Sequence, residues 1–515
     1  MPDHSTLLVL QCVELDPGIS RPLYDQLYRG LRQAILSSQL LPGMRLPSTR
    51  ALAGELGVSR NTVLEAYDQL GAEGYLKSHV GSGTYVAQEL PEALRSVRGA
   101  SRLNPSSQRS SNDPGGASPL SARGAALTDL RLSAFRSHEK PRAFRPGLPA
   151  LDAFPIETWS RLVSRRWRSL PASTLGYRRP TGFPPLRETI SAYLQESRGV
   201  TCAPEQVIIV SGTQQAITLV AHVLLGPGDR AWIEDPGYPR ARGAFRWAGA
   251  QTVPVPLDRE GLDVDAGRTR GDAQIAYVTP SHQYPLGVTM SLSRRLELLE
   301  WANETGAWIL EDDYDSEYRY EGRPIAALQG LDDAGRVIYV GSFSKVLFPA
   351  LRLGYLVVPE PLVEPFSAAK SIMGRCPPLV PQMVATDFLE DGHFERHLRR
   401  MRTLYAERQS VLIESLREQM GRPVDVSSDE AGLHLTLFLG ASARDEAISE
   451  AAEARGVTAP PLSFYAADGL DQSGLVLGYA AVDAEAIRDG AAQLARAVDA
   501  AQSSRKEDPS EIAAP

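Results

Sequence analysis

Cysteine is nearly absent: Cys12, Cys202 and Cys376 are the only three in 515 residues, and they lie far apart. They supply neither a disulfide framework nor a metal cluster of recognised spacing, so the expectation is no metal site and a reducing compartment, the cytoplasm. Long hydrophobic runs are missing too. No stretch approaches the roughly 18–20 apolar residues that cross a bilayer, which argues against a membrane protein. The short run Thr6–Leu10 follows Asp3 and His4 rather than a basic segment, which argues against a signal peptide. Surplus positive charge is also lacking. A net charge of −8 makes the chain as a whole a poor partner for nucleic acid, but the sign is uneven. From Arg21 to Lys77 seven Lys/Arg face five Asp/Glu, and from Gln88 to Arg145 ten face five. A mildly basic N-terminal third precedes an acidic body.

The length predicts two or three domains, and the punctuation of the chain places them. Leu23, Leu27, Leu31 and Ile35 recur at four-residue steps after Pro22, the stripe of an amphipathic helix. A second, short helix runs from Ser48 to Gly57. A third starts at the N-cap Ser59, carries Val63, Ala66, Tyr67 and Leu70 on one face, and ends near Gly74. Tyr75–Lys77 and Thr84–Val86 then read as strands around Gly81-Ser82-Gly83, the tip of a hairpin. From Gln88 to about Lys140 Ser, Pro, Gly and Arg prevail without hydrophobic period, so a flexible linker is expected. Beyond Phe144, apolar runs (Val207–Val210, Ala231–Ile233, Gln274–Val278, Trp308–Leu310, Val337–Val340, Gly354–Val358) alternate with helical patterns, which predicts an α/β domain with a mainly parallel sheet. The expected organisation is a three-helix and hairpin domain at 19–87, a linker at 88–142, an α/β domain at 143–500 and a disordered tail at 501–515.

A short helix, a turn through Gly57-Val58 and a second helix opening Ser59-Arg60-Asn61-Thr62 is the arrangement that lays a recognition helix in the major groove of double-stranded DNA. Arg60 and Asn61 are placed to reach base edges. Ser48, Ser59 and Thr62 sit at helix N-termini, where hydroxyls and the helix dipole favour phosphate. Arg45, Arg50 and Lys77 add backbone neutralisation. Any three-helix unit with a hairpin can instead serve only as a packing module.

In the α/β domain, Lys345 follows the strand Val337–Val340 within Gly341-Ser342-Phe343-Ser344-Lys345, where open α/β sheets place ligands. Its amine is suited to a Schiff base with the aldehyde of pyridoxal 5′-phosphate (PLP), a cofactor that needs several further partners. Asp312, after Trp308–Leu310, can keep the pyridine nitrogen protonated. Tyr314, two residues on, can reach the phenolic oxygen. Gly212, Thr213 and Gln214 form a strand-to-helix turn suited to the phosphate, with Arg352, Ser342 and Ser344 as further donors. Tyr238 can stack on the ring. Taken singly each has a plainer reading: a solvated lysine, an acidic loop or metal site at Asp312, Asp313 and Asp315, a helix cap at Ser211–Thr213.

The segments Pro42–Ser48, Leu56–Val63, Glu73–Leu76 and Gly81–Val86 resemble the GntR-type winged helix. The region from Phe144 to about Ala500 resembles fold-type I class I/II aminotransferases, with Tyr177–Arg187 similar to that family's substrate-proximal loop. Together they resemble the MocR family of regulators, and Thr279–Met290 is especially close to that family's sequence. The resemblance implies PLP as cofactor, a homodimer, and a transcription regulator that senses PLP or a small amine; an active aminotransferase with an accessory DNA-binding domain is the alternative. Two departures stand out. Tyr284 replaces the Asn that contacts the cofactor's phenolic oxygen in many aminotransferases, leaving that tyrosine or His282 to serve. The usual carboxylate-binding Arg late in the chain aligns with Leu477, beside uncharged Val476, while Arg178, Arg240 and Arg375 are loop candidates to replace it.

Overall fold

The computed structural model describes residues 21–79, 83–88, 141–320, 325–421, 423–427, 431–440 and 443–506, with isolated positions before 21 and at 120 and 124. It divides into two compact units, Met1–Ala117 and Ser118–Pro515, and the expected linker contains the division. The Gly81-Ser82 hairpin tip and nearly all of the linker lie outside the described residues.

In the first unit, α1 (Leu23–Leu36), α2 (Thr49–Leu56) and α3 (Arg60–Ala72) fall where the periodicity and caps predict. Ser48 Oγ accepts the Ala51 N–H and Ser59 Oγ accepts the Thr62 N–H, satisfying donors that a helix start otherwise leaves open. Gly57 closes α2 in the left-handed conformation at φ +67°, which glycine adopts without a Cβ penalty. Leu27, Leu31 and Ile35 from α1, Leu52 from α2, and Val63 and Leu70 from α3 share one core. Strands β1 (Leu76–His79) and β2 (Gly83–Val86) pair antiparallel, Leu76 opposite Val86. The segment before α2 lies along β2, Leu46 N–H donating to Thr84 O at 2.8 Å.

The second unit is built on an eight-stranded sheet. Its strands are β3 (Val207–Val210), β4 (Arg230–Asp235), β5 (Gln251–Asp258), β6 (Gly261–Leu262), β7 (Ile275–Val278), β8 (Trp308–Asp313), β9 (Val337–Ser342) and β10 (Gly354–Val357). The spatial order is β3-β10-β9-β8-β7-β4-β5-β6. The centre from β9 to β5 is parallel as predicted, while β10 runs antiparallel to both β9 and β3. Alternate residues enter different cores: Ile208, Ile338 and Leu356 join one cluster, Val207, Ile209, Tyr339 and Tyr355 another. That two-sided burial explains why these strands read as unbroken apolar runs. Strand β5 has no counterpart in the sequence reading, because Pro254 and Pro256 interrupt its pattern; it lies near the sheet edge, where proline is tolerated.

Helices α4 (Thr213–Leu224) and α5 (Pro239–Ala248) follow β3 and β4. A long α6 (His393–Met420) packs on α7 (Ala484–Lys506), and β11 (Asp425–Val426), β12 (His434–Phe438) and β13 (Gly474–Gly478) form a second, antiparallel sheet. Helix α7 continues to Lys506, beyond the expected start of a disordered tail at 501. Its register of small and apolar residues, Ile487, Ala491, Leu494 and Val498, remains in the core up to that point. No helix among the described residues is long and apolar enough to cross a membrane.

Candidate functional site

The C-terminal ends of β3, β7, β8 and β9 surround a cavity of about 230 Å³ lined by Gly147, Thr213, Tyr238, Tyr277, Asp312, Tyr314, Lys345 and His434, among others. Parallel strands deliver their last residues to one edge, so side chains from widely separated segments converge there. Asp312 and Tyr314 face the same space, as their two-residue spacing predicts. Lys345 follows β9 in a single helical turn, Phe343–Val346, and its amine donates to the Gly147 carbonyl. Burial lowers the Lys345 amine from its usual basic range; Asp315 and Asp312 oppose that shift, and Arg145 adds to it. An amine so depressed is closer to the neutral nucleophile that attacks an aldehyde.

Asp312 is almost fully buried, and its carboxyl is pushed up to about 7, chiefly by desolvation. Oδ2 accepts the Tyr277 hydroxyl at 2.7 Å, whereas Oδ1 is buried with no partner. A buried, unsatisfied carboxylate oxygen costs free energy unless a donor arrives. A protonated pyridine nitrogen is such a donor. Tyr277 escaped the sequence reading because it sits in an apolar run; a lone hydroxyl within a buried strand was the available signal.

Gly212, at φ +105°, precedes α4, whose N-terminus has no side-chain cap. A Cβ there would lie 3.7 Å from an Arg352 guanidinium nitrogen and 3.9 Å from Ser344 Oγ. The predicted phosphate donors Gly212, Thr213, Ser344 and Arg352 therefore gather at one helix N-terminus, an anion site by geometry and dipole. Ser342 Oγ caps the turn that carries Lys345, accepting from Ser344 N–H at 3.1 Å, and keeps its hydroxyl hydrogen to donate. Gln214 donates to the Arg240 carbonyl at 3.3 Å. Three glycines form a seam beneath this end: a Cβ on Gly354 would stand 3.0 Å from Gly341 O and 3.1 Å from Gly212 Cα.

Tyr238 caps α5, with its ring edge-on to Tyr284 at 5.8 Å. Tyr284 lines the cavity, and its hydroxyl meets that of Tyr465 at 3.2 Å. His282 is set back from the cavity. Its Nδ1 lies 3.0 Å from the Tyr314 hydroxyl and 3.1 Å from Asp315 Oδ2. Asp315, read as part of an acidic loop or metal site with Asp312 and Asp313, and His434 were missed as members of this buried cluster.

The alignment at Leu477 needs correction in one respect. Leu477 is fully buried in the main core, opposite Leu435, whereas neighbouring Val476 packs with Leu462 and Tyr465 on the side of Tyr284. Strand alternation thus puts Val476, not Leu477, toward the cavity side, and it too lacks charge. Of the replacement candidates, Arg178 donates to Ser173 O, Arg375 lies over the Tyr177 ring at 4.7 Å, and exposed Arg240 acts electrostatically on Tyr238 and Tyr284.

In the first unit, Arg45, Ser48, Arg50, Ser59, Arg60, Asn61 and Lys77 are exposed and Thr62 is half-buried. Arg60 Nε approaches Thr49 Oγ1 at 3.4 Å, joining the starts of α2 and α3. Ser48 and Ser59 accept capping bonds, and Ser59 Oγ also shares a hydrogen with Thr62 Oγ1 at 2.9 Å, so Ser48 and one hydroxyl of the Ser59–Thr62 pair keep a hydrogen for a phosphate.

Residues 23–86 match the family model described as bacterial regulatory proteins, gntR family, and residues 156–494 match aminotransferase class I and II. The probable rhizopine catabolism regulatory protein MocR of Rhizobium meliloti is 43% identical over 490 residues, covering 95% of this chain and 96% of its own length. The chain belongs to the MocR family. A second MocR-family relative is the HTH-type pyridoxine biosynthesis transcriptional regulator PdxR of Corynebacterium glutamicum, 31% identical across 94% of this chain and 98% of its own. Among solved structures, the α-aminoadipate aminotransferase LysN of Thermus thermophilus, complexed with N-(5′-phosphopyridoxyl)-L-leucine, superposes with a TM-score of 0.65. It is 30% identical, with 70% of this chain and 92% of LysN covered. The MocR-family architecture, a GntR head and a fold-type I aminotransferase-like body, accounts for both units.

Proposed function

We propose that this protein is a transcription regulator whose aminotransferase-like domain holds PLP and whose DNA affinity changes with what that domain binds. The observation that carries it is the unpartnered Asp312 Oδ1 on the floor of a cavity that also holds Lys345. When bound, PLP supplies an electron-withdrawing ring and an aldehyde that captures amines. Lys345 is the covalent anchor. Asp312 holds the ring nitrogen, Tyr314 the phenolic oxygen, and Gly212, Thr213, Ser344 and Arg352 the phosphate. Tyr238 borders the ring.

The regulator reading is favoured over an enzyme with an accessory head because the curated MocR-family relatives cited above are named as regulators over nearly their full length. Missing charge at Val476 and Leu477 supports it. PLP itself or a small amine is the effector. Residues 19–87 bind a double-stranded operator through Arg45, Arg50, Arg60, Asn61 and Lys77, with Ser48, Ser59 and Thr62 at phosphates. Residues 88–142 link them to the sensor, 143–500. The protein works in the cytoplasm as a homodimer, to which exposed Trp167, Leu175, Tyr177 and Ile372 contribute an apolar surface.

An absorbance spectrum of the purified protein, with binding to its own upstream DNA measured with and without PLP, is the test. The expected result is a borohydride-sensitive visible band, PLP- or amine-dependent DNA affinity, and negligible turnover of an amino-acid panel with an oxoacid acceptor. Multiple turnovers at ordinary aminotransferase rates would overturn the regulator reading.

A further inference from the structure

Behind Tyr314 runs a hydrogen-bonded chain that holding a cofactor does not by itself require. His282 Nδ1 stands 3.0 Å from the Tyr314 hydroxyl, and 3.2 and 3.1 Å from the two oxygens of Asp315. His282 and Asp315 are both buried. An ionised carboxylate only accepts hydrogen bonds, so beside Asp315 the ring hydrogen sits on Nδ1, and the Tyr314 oxygen at 3.0 Å accepts a share of it. Nδ1 then has no lone pair to offer Tyr314. The tyrosine's own hydrogen must point elsewhere, and its phenol lines the cavity.

The surroundings hold this arrangement in place. Gly432, at φ +92°, packs so closely that a Cβ there would lie 2.0 Å from His282 Cε1, which wedges the ring where Nδ1 meets Asp315. The other polar groups facing the pair have partners of their own. Tyr479 donates to Gly432 O at 2.8 Å, and Tyr320 donates to the same carbonyl. His434, with its ring 5.1 Å from that of His282, has Nε2 against Pro285 O at 3.2 Å. Lys345 is held by Gly147.

We propose that Asp315, acting through His282, fixes the Tyr314 hydroxyl as a hydrogen-bond donor into the cavity, toward the phenolic oxygen of bound PLP. Asp315 and His282 are thus positioning residues, and the proposal rests on the cofactor reading above. Donation to that oxygen would withdraw charge from the ring, so that the visible band of the loaded protein titrates at a lower pH.

The test is a pH titration of the visible band of the PLP-loaded full-length protein. An Asn at 315 whose N–H donates to Nδ1 moves the ring hydrogen to Nε2, the wrong-tautomer effect known from hydrolase triads, and the Tyr314 oxygen loses the Nδ1 hydrogen. Asp315→Asn should therefore raise the midpoint by about one unit, as Tyr314→Phe should, and the double variant should match Tyr314→Phe alone. Simple loss of a nearby negative charge shifts the midpoint the opposite way, because Asp315 favours the protonated Lys345 nitrogen. A lowered or unchanged midpoint in Asp315→Asn overturns the proposal. Should that variant not fold, His282→Asn and His282→Phe decide it. Asn places an N–H where Nδ1 stands and should keep the wild-type midpoint, whereas Phe should raise it; equal midpoints reject the chain. A wild-type protein without a visible band rejects the cofactor reading itself, and this inference with it.

Discussion

The two folded units place their charged groups in opposite ways. In residues 23–86 the basic side chains Arg45, Arg50, Arg60 and Lys77 stand in solvent around a small apolar core, where water screens them and a polyanion can displace it. In the aminotransferase-like unit the decisive groups, Asp312, Asp315 and His282, are almost wholly buried, and Lys345 lines the cavity. There, desolvation raises the Asp312 carboxyl to about 7 and depresses the Lys345 amine. The first site is suited to reversible, salt-sensitive attraction. The second is suited to holding one compact group whose own charges complete the pairing.

That contrast breaks first at Lys345. Lys345→Ala should abolish the borohydride-reducible adduct altogether while operator binding without effector stays measurable; a retained adduct would place the covalent anchor elsewhere. Next comes Leu477, which belongs to the core. Leu477→Ala should cost about 2–5 kcal/mol in chemical denaturation yet leave the visible spectrum unchanged. A changed spectrum with full stability would return Leu477 to the cavity.

In the DNA-binding unit the expected effects are smaller. Arg60→Ala should cost about 1–3 kcal/mol of operator affinity and relax sequence preference, whereas Arg45→Ala should weaken all sequences alike and reduce the salt slope by about one. Identical behaviour of the two variants would dissolve the distinction between base reading and phosphate contact.

The smallest effect concerns pH. Without cofactor, the folded chain keeps the Asp312 proton up to about 7, while the unfolded chain releases it near 4. The folded state therefore binds more protons between those values, and this carboxyl makes stability fall as pH rises through that window. Asp312→Asn should flatten part of the decline. Glu234 and Glu311, also raised to about 7 by burial, should maintain the rest. Denaturant midpoints at pH 5 and 7 check it: an equal decline in both proteins removes Asp312 from the account.

Legibility in the sequence followed the same divide. Helices α1 to α3 were readable to within a residue or two because their caps and stripes are local: Ser59 and the Thr62 N–H it receives are three positions apart. Most sheet strands were readable because burial on both faces leaves apolar runs. The groups that complete the proposed cofactor site were hidden because their partners are distant in the chain. Tyr277 meets Asp312 across 35 positions, Gly147 receives Lys345 across 198, and Asp315 meets His282 across 33. Lys345 and Asp312 stood out by position after predicted strands and Arg352 by its place seven residues beyond Lys345, but nothing local marks a loop aspartate as the anchor of a histidine. Leu477 shows the converse error: alignment named a position, and strand alternation then turned it away from the site.

The glycine seam under Gly212, Gly341 and Gly354 bears on how such a site can change over time. With no side chains between them, the main chains themselves set the span from the helix start proposed to receive a phosphate to the turn that presents Lys345. That span works as a fixed ruler for a rigid ligand of one length. Residues on the cavity wall are then free to vary, retuning which amine is accepted or whether any reaction follows, while the ruler goes on measuring the same molecule.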